Sequence, residues 1–394
     1  MRIGINGRFL VAKQTGVQRA AYNLIRTLVD LDEDNEYFIF TGHDQLNRPE
    51  WQKSNTTVVP SGIRGGETSR NLWWEQWTLP ALAKKYNVDL LHCPANMAPL
   101  FYKGKAVVHI HDLCFIVNPK WYSFSFRHWY NFVIPRLAKN AARVVTNSNN
   151  SRNDLLLHCG LSAEKVSTVY WAVDESFLQQ PPKPRAGQPE SYILYVGSLE
   201  PRKNIKTLVE SYESMRDSHP ELKPKLVLIG GESPLFADVS LTIKKYKEDV
   251  IFKGFADEQT LRSYYRYASL VAYPSLYEGF GLPPLEAMAS GTPVVTSMSS
   301  SIPEVVGNAA LMVGPYDVEG LSDAMAALLT NVELREELVH RGYLQVQKFQ
   351  WEKVAKKLLA IYHEVGCAGK KQNSEVISRS AWEKVQSKLY LANP

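Results

Sequence analysis

Short apolar runs bounded by turn residues alternate along the chain with stretches whose apolar residues recur every three or four positions, the pattern of parallel βα units. The first run is Arg2 to Asn6, which leads through "GRFLVAKQTG" into a helix predicted by Val17, Ala20, Ala21, Leu24, Ile25 and Leu28. Further strands are predicted at "EYFIFTG", "VDLLHCP", "KAVVHIHD", "ARVVTNS" and "KVSTVYWAV". The next stretch, "LQQPPKPRAGQPE", holds four prolines and no apolar periodicity, as a surface linker would. A second series then begins with "SYILYVGS", "PKLVLIGG", "DVIFKGF", "SLVAYPS", "TPVVTS" and "ALMVGP".

The expected architecture is α/β: two facing, Rossmann-like doubly wound domains with a cleft between them, residues 1–178 and 191–349, joined by a linker over 179–190. Residues 350–394 are expected to supply C-terminal helices. The amphipathic "FQWEKVAKKLLAIYHEV" would cross back onto the first domain, and a further helix is expected towards "YLANP". Ligands of open α/β sheets bind beyond the carboxyl ends of the strands, so two facing crevices would enclose a ligand between them.

Composition narrows the classes. The 394 residues exceed what one core usually serves, and 45% hydrophobic with 22% charged residues is ordinary for a globular protein. A formal charge of +5 is a mild excess, in keeping with an anionic ligand or membrane surface and too thin for nucleic acid. Cys93, Cys114, Cys159 and Cys367 form no CxxC pair, which argues against a zinc ribbon or redox motif and fits a reduced, cytoplasmic setting. "MRIGINGRFL" lacks a long apolar h-region, and no segment reaches the roughly 18 apolar residues that span a bilayer. Membrane contact is therefore expected to be peripheral, at the inner face of the cytoplasmic membrane.

The densest chemistry lies in "SLYEGFGLPPLEAMASGTPVV", where seven residues separate Glu278 from Glu286. Gly279 and Gly281 can take positive φ, Pro283 or Pro284 suits a first helical turn, and Gly291 and Pro293 stop the helix. Glu278 is thus placed on a loop and Glu286 in a short helix, with backbone N–H groups of a helix start between them, an arrangement that suits a phosphate or, equally, a polar loop with a capping glutamate. A second anion site is suggested by "YVGSLEPRKNIKTLVESY": Arg202 and Lys203 stand just ahead of a helix expected to begin at Asn204, a good N-cap. In the first domain His109 and His111 share a strand face, and Asp112 follows them. Either histidine can be a core residue satisfied by a neighbour; His111, nearer the strand end, is better placed to touch substrate. Gly16, at the start of the first helix, can admit a phosphate or sugar to the backbone. The DxD in "DLDED" falls at the amino edge of the sheet, away from the crevice, and reads as a solvated turn. A nicotinamide dehydrogenase is disfavoured because no GxGxxG follows the first strand.

These motifs resemble those of the retaining GT-B glycosyltransferases of the E-x7-E group, the family 4 type that includes bacterial mannosyltransferases. "YEGFGLPPLEAMASGTPVV" is similar to the E-x7-E motif, "YVGSLEPRKN" to the phosphate-binding turn, and "VVHIHD" to the strand carrying the active-site histidine; "DVIFKGFADEQTLRSYYRYASLVAYPS" also follows the family pattern. The resemblance is dense over the second domain and thinner over the first, the acceptor side. It implies catalytic roles for His111, Glu278, Lys203 and Arg202. Glu278 would bind donor-sugar hydroxyls, His111 would face the transferred sugar, and Arg202 and Lys203 would hold the diphosphate. Gly16, Gly197, Ser198, Gly279, the backbone of Phe280 and Gly281, Leu282 and Leu285 would line the donor site, with Gly254 and Phe255 beside the base and Glu286 on the ribose. Departures are Ser198, where relatives often carry the first phosphate arginine, the donors lost at Pro283 and Pro284, and Ala172 in "VYWAVD" where relatives often have glycine.

By the same resemblance the chain would move a hexosyl unit, with a lean to GDP-mannose, to a saccharide or lipid-linked saccharide in cell-surface glycan synthesis such as that of lipopolysaccharide. Configuration would be retained, and no metal or other cofactor is expected beside the nucleotide-sugar co-substrate. Two other readings stay open: a nucleotide-sugar epimerase of this architecture and a non-enzymatic nucleotide-sugar sensor. "RNLWWEQWTLPALAKKY" and "PKWYSFSFRHWYNFVIPRLAKNAAR" mix aromatic with cationic residues, as interfacial helices do and as packed interfaces also can.

Overall fold

In the computed structural model, apolar runs that read as strands pair side by side into two all-parallel sheets. The structure describes residues 1–12, 15–66, 68–179, 183–231, 243 and 245–367. The helix expected near the C-terminal end lies outside them.

The first sheet has seven strands in the order β3-β2-β1-β4-β5-β6-β7: β1 Arg2–Asn6, β2 Glu36–Thr41, β3 Thr56–Pro60, β4 Leu90–Cys93, β5 Lys105–His109, β6 Arg143–Thr146 and β7 Val166–Thr168. The second has six in the order β10-β9-β8-β11-β12-β13: β8 Tyr192–Val196, β9 Lys225–Ile229, β10 Val250–Gly254, β11 Leu270–Tyr273, β12 Val294–Ser297 and β13 Leu311–Val313. In each sheet the order reverses at the first strand, β1 or β8, which opens a crevice at its carboxyl end. Central strands such as "YILYV" are apolar without alternation because helices cover both faces.

Two expectations are corrected. The strand "KVSTVYWAV" pairs only through Thr168; Tyr170 and Trp171 leave the sheet and join Phe280 and Phe349 in an aromatic cluster. Asn204 does not cap a helix with its side chain. It adopts a left-handed conformation (φ 58°) after a tight turn, Pro201–Lys203, and donates to the carbonyls of Pro274 and Pro315.

The amphipathic segment does return to the first lobe, as the helix over 351–367. Its Tyr362 hydroxyl meets His92 Nδ1 at 2.5 Å, Lys105 Nζ reaches Gly366 O at 2.9 Å, and Arg143 pairs with Glu364 at 3.0 Å. One apolar core therefore runs from the first sheet through Val173, Phe177, Phe349 and Trp351 into the second lobe. The crevices face each other across that shared base.

Candidate active site

At the carboxyl end of β11 the chain leaves the sheet at Pro274 and makes the loop that carries Glu278. A run of serines after β12 ties this loop down. Ser301 Oγ donates to the carbonyls of Glu278 (2.9 Å) and Phe280 (2.7 Å), Ser300 Oγ accepts the Glu278 N–H (2.7 Å), and Ser297 and Ser299 hold the carbonyls of Ser275 and Leu276. Ser300 takes φ 48° to do so. The sequence reading missed these serines; the signal available to it was the polar run "SMSSS" directly after a buried strand.

So fixed, the Glu278 carboxylate is 6% exposed and fully bonded. Oε1 accepts from Lys203 Nζ (2.5 Å) and from the Tyr273 hydroxyl (2.8 Å), while Oε2 accepts from Arg202 Nη1 (3.1 Å). Lys203 also donates to Tyr273 (2.8 Å), and Arg202 Nε to Glu200 (2.8 Å). Burial by itself would push the Glu278 carboxyl up; Lys203 and then Arg202 override it and hold the group down at about 2. Burial and the neighbouring Arg202 lower Lys203 against the pull of Glu278. Burial opposes the Arg202 charge as well, but Glu278 and Glu200 keep it well above its ordinary value. The result is the Glu278 carboxylate between two cations, with Glu200 on the outer side of Arg202 bringing the cluster to charge balance.

Glu286 is held differently. It sits mid-way along the helix Leu282–Ala289, whose N-cap Gly281 has φ 119°, and it is 4% exposed. One oxygen accepts from Tyr265 (2.8 Å) and the other from Arg19 (3.0 Å), which comes from the first turn of the first-lobe helix Gly16–Leu31. Glu286 above all, then opposing burial, sets the Arg19 balance, and the net effect raises its pKa. Gly16, one turn earlier, faces Leu282: a Cβ at Gly16 would lie 3.6 Å from Leu282 Cδ1.

The lobes also touch at the histidine. His111 follows β5 and is 3% exposed; neither ring nitrogen makes a well-formed hydrogen bond, the Pro94 backbone being its polar neighbour, and its ring packs 4.7 Å from Trp171, edge to face. His109 does not satisfy it, since that ring lies 6.0 Å away, edge to face; the neighbouring polar group is the Pro94 backbone. Burial lowers the His111 pKa to about 4, so the imidazole is neutral. Gly279 lies against this strand end so closely that a Cβ would be 2.7 Å from the His111 carbonyl oxygen, which leaves no room for any other residue. Ser151 Oγ bridges the carbonyls of His111 (2.9 Å) and Gly279 (3.4 Å), and the Asn147 amide, with its nitrogen turned towards them, donates to the same pair. Glu304 caps the helix Asn149–Cys159 from across the cleft, through Asn149 N (2.9 Å) and Asn150 N (3.0 Å).

Thus His111, Arg202, Lys203, Glu278 and Gly279 form one constellation, and Gly16, Leu282 and Glu286 a second. Gly197 ends the run after β8 with its N–H on Ile229, and Ser198 follows it. Gly254 (φ 64°) closes the edge strand β10, and Phe255 beside it is 70% exposed. Phe280 and Leu285 are core side chains, 2% and 0% exposed, so Phe280 offers the crevice its backbone alone and Leu285 packs the lobe interior. The solvated turn expected at the DxD is corrected for Asp32: at the amino edge exposed Asp30 pairs with Lys53, but Asp32 is 6% exposed and accepts from Asn35 and buried Tyr37. No group of three histidine, cysteine, aspartate or glutamate side chains is arranged to hold a metal among the described residues. No helix among them is long and apolar enough to cross a membrane.

Comparison with known proteins agrees with this geometry. Residues 177–345 match the model for glycosyl transferases group 1, and residues 14–177 that for glycosyltransferase family 4. The chain is 28% identical over 384 residues to the O-antigen chain mannosyltransferase B of Escherichia coli, covering 88% of this chain and 96% of that one. It is 32% identical over 256 residues to an MMP alpha-(1->4)-mannosyltransferase of Mycolicibacterium hassiacum, covering 62% and 60%. Against the serotype-specific mannosyltransferase WbdA of Escherichia coli it is 28% identical and spans 33% of that longer protein. In fold it is similar to sucrose-phosphate synthase of Thermosynechococcus elongatus (TM-score 0.73, 21% identity, 93% and 100% of the two chains). It is likewise similar to HepE of Anabaena in complex with UDP-glucose (TM-score 0.69, 16% identity, 92% and 100%). The chain belongs to the GT-B glycosyltransferases built from family 4 and group 1 domains.

Proposed function

We propose that the protein is a retaining, metal-independent hexosyltransferase that moves mannose from a nucleoside diphosphate sugar, GDP-mannose by preference, to a saccharide or lipid-linked saccharide of a cell-surface glycan. The observation that carries this reading is the buried Arg202–Lys203–Glu278–Tyr273 cluster at the carboxyl end of the second sheet, on the loop whose Gly279 abuts the His111 backbone of the first. Mannose rests on the named activities of the relatives.

When the bond from C1 to the diphosphate oxygen breaks, negative charge develops on the departing diphosphate. Lys203 and Arg202, already desolvated and aimed, stabilise that charge in a low-dielectric site. Glu278 keeps both cations in place and accepts hydroxyls of the sugar, while Glu286 takes the ribose after parting from Arg19. The acceptor hydroxyl forms the new bond to C1 from the face the leaving group vacates, and its proton passes to the departing phosphate oxygen. Neutral His111 donates to or accepts from the sugar without adding charge.

A peripheral contact with an anionic bilayer, at the inner face of the cytoplasmic membrane, belongs to the same proposal. Trp73, Trp77, Phe124, Trp129 and Phe132 are exposed, and no acidic residue stands between Asp112 and Asp154 whereas Lys120, Arg127, Arg136, Lys139, Arg143 and Arg152 do. Transfer assays with GDP-mannose and UDP-hexoses, read by anomeric proton NMR, test the chemistry. The expected product keeps the donor's anomeric configuration at an unchanged rate in EDTA; an inverted product, or activity lost to chelator and restored by manganese, overturns it.

A further inference from the structure

The transferase reading leaves unexplained a fully buried carboxylate in the first lobe. Glu75 is 0% exposed and lies in a π-helical turn, Trp74–Thr78, inserted between the helices Thr68–Trp73 and Leu79–Lys85. The wide turn faces Glu75 inward while Trp73 and Trp77, four residues apart, stay outside and stack on each other. Turns of this kind concentrate at functional sites. Glu75 Oε1 accepts from Asn6 Nδ2 (2.7 Å) and Oε2 from Arg8 Nη1 (2.8 Å). Asn6 ends β1 and Arg8 follows it, so the pair stands at the crevice edge of the first sheet, at the strand where its order reverses.

A buried ion pair is weak evidence for a stabilising role, because apolar residues of the same volume commonly do as well or better. What Glu75 does achieve is to fix a guanidinium. Arg8 uses Nη1 on Glu75, its side chain is 25% exposed, and a guanidinium carries five N–H donors in a rigid fork. Tyr130 stands nearby: burial first, then Glu75 and Asp112, hold its proton on, against the opposing field of Arg8. Asp112 follows His111 directly and is spent on one backbone contact, Cys114 N to Oδ1 (3.0 Å). Contacts tie the pair to the strand end that carries the histidine: Asn6 Nδ2 also reaches the Met97 carbonyl at 3.4 Å, and the neighbouring Asn96 accepts the His111 N–H at 2.9 Å.

We infer that Arg8, positioned by Glu75, and Tyr130 form the acceptor subsite of the first lobe and select a neutral saccharide end presenting vicinal hydroxyls. The inference rests on the transferase reading and deepens it. The charge balance sets the ligand class: Arg8 is already paired with Glu75 at 2.8 Å, so its remaining N–H groups offer donors without the unpaired positive charge that a phosphate or uronate would need. Adjacent hydroxyls fit, accepting from the Arg8 fork and the Tyr130 hydroxyl and donating to Asp112.

The test uses the full chain with GDP-mannose as donor, octyl α-mannoside and octyl α-glucuronide as acceptor probes, and ligand-observed NMR of both probes in the presence of GDP. Arg8→Gln is expected to raise the acceptor KM about tenfold or more while the donor KM stays within about twofold, and to abolish mannoside binding by NMR. Glu75→Gln, which keeps the volume, and Tyr130→Phe should raise the acceptor KM by smaller factors at unchanged donor KM. An unchanged acceptor KM in Arg8→Gln, a donor KM that rises in step, a preference for the glucuronide, or no binding of the mannoside by wild type each overturns the inference. Wild type that binds the mannoside through Arg8 yet transfers nothing from any nucleotide sugar instead sinks the transferase reading.

Discussion

Glu278 and Glu286 carry the same functional group on one short stretch of chain, yet their surroundings are opposites. Glu278 is satisfied from within its own lobe by Lys203, Arg202 and Tyr273, with the serines after β12 fixing its backbone. Glu286 shares its charge with Arg19 of the facing lobe. The first carboxylate is therefore positioned by its own lobe alone, whereas the second is tied across the cleft. A ligand that takes Glu286 must compete with Arg19, and one that meets Glu278 finds its cations already desolvated and in place.

The largest effects should come from breaking the Glu278 side of this comparison. Lys203→Ala is expected to cut transfer by roughly a thousandfold, since it removes charge stabilisation that matters most in the transition state. It should also lower stability by about 3 kcal/mol or more, because a buried carboxylate loses its nearest cation. Glu278→Gln should reduce kcat comparably with a smaller stability loss. Near-normal turnover in either variant removes that residue from the mechanism.

Acid should act next. His92, with its pKa lowered to about 3, His109, lowered well below its ordinary value, and His111, lowered to about 4, are all buried neutral, burial being the leading cause in each. The unfolded chain takes up protons first as pH falls, so the stability these histidines contribute is present above about pH 6.5 and is lost progressively below it, the His111 share by about pH 4 and the His92 share by about pH 3. At its steepest the loss approaches about 4 kcal/mol per pH unit if all three titrate together. Glu278, depressed to about 2, adds a loss that begins near its ordinary pKa of 4.5 and runs down towards 2. Urea unfolding across this range measures both; a flat midpoint between pH 6.5 and 4.5 contradicts the first.

Smaller effects belong to the Glu286 side. Arg19 is one-third exposed, so Arg19→Ala should cost under about 1 kcal/mol of stability. It should still shift the donor-free protein towards an open arrangement, seen as a larger radius of gyration in X-ray scattering that donor reverses. An unchanged radius means that other contacts between the lobes, Glu304 with Asn149 and Tyr277 with Asp154 among them, suffice to hold them. Ser301→Ala, which frees two loop carbonyls, should cost about 1 kcal/mol and raise the donor KM a few-fold.

Much of this organisation was legible beforehand, and the reasons are local. Strands buried on both faces read as unbroken apolar runs, the proline-rich linker breaks that pattern, and the glycines and prolines around Glu278 and Glu286 dictate loop followed by helix within a few bonds. The misses share a different origin. Tyr273, Tyr265, Arg19 and the serines look like ordinary strand, helix and turn residues until their partners, 5 to 267 positions away, are folded against them. Asn204 stands at the N-cap position as expected, but its side chain is oriented by distant partners: Nδ2 donates to the carbonyls of Pro274 and Pro315, and Oδ1 accepts from the Thr207 hydroxyl instead of a backbone N–H.

Taken alone, the amino-acid order determined the alternation of elements, the two-lobe division and the residue types able to grip a diphosphate, because periodicity and turn chemistry act over a handful of neighbours. Only the tertiary structure decided which charges meet, that Glu278 lies between two cations, that Glu286 answers to the other lobe, and that Arg8 is aimed by a buried Glu75. Those outcomes depend on desolvation and on contacts between strand ends far apart in the chain, and no local pattern encodes them.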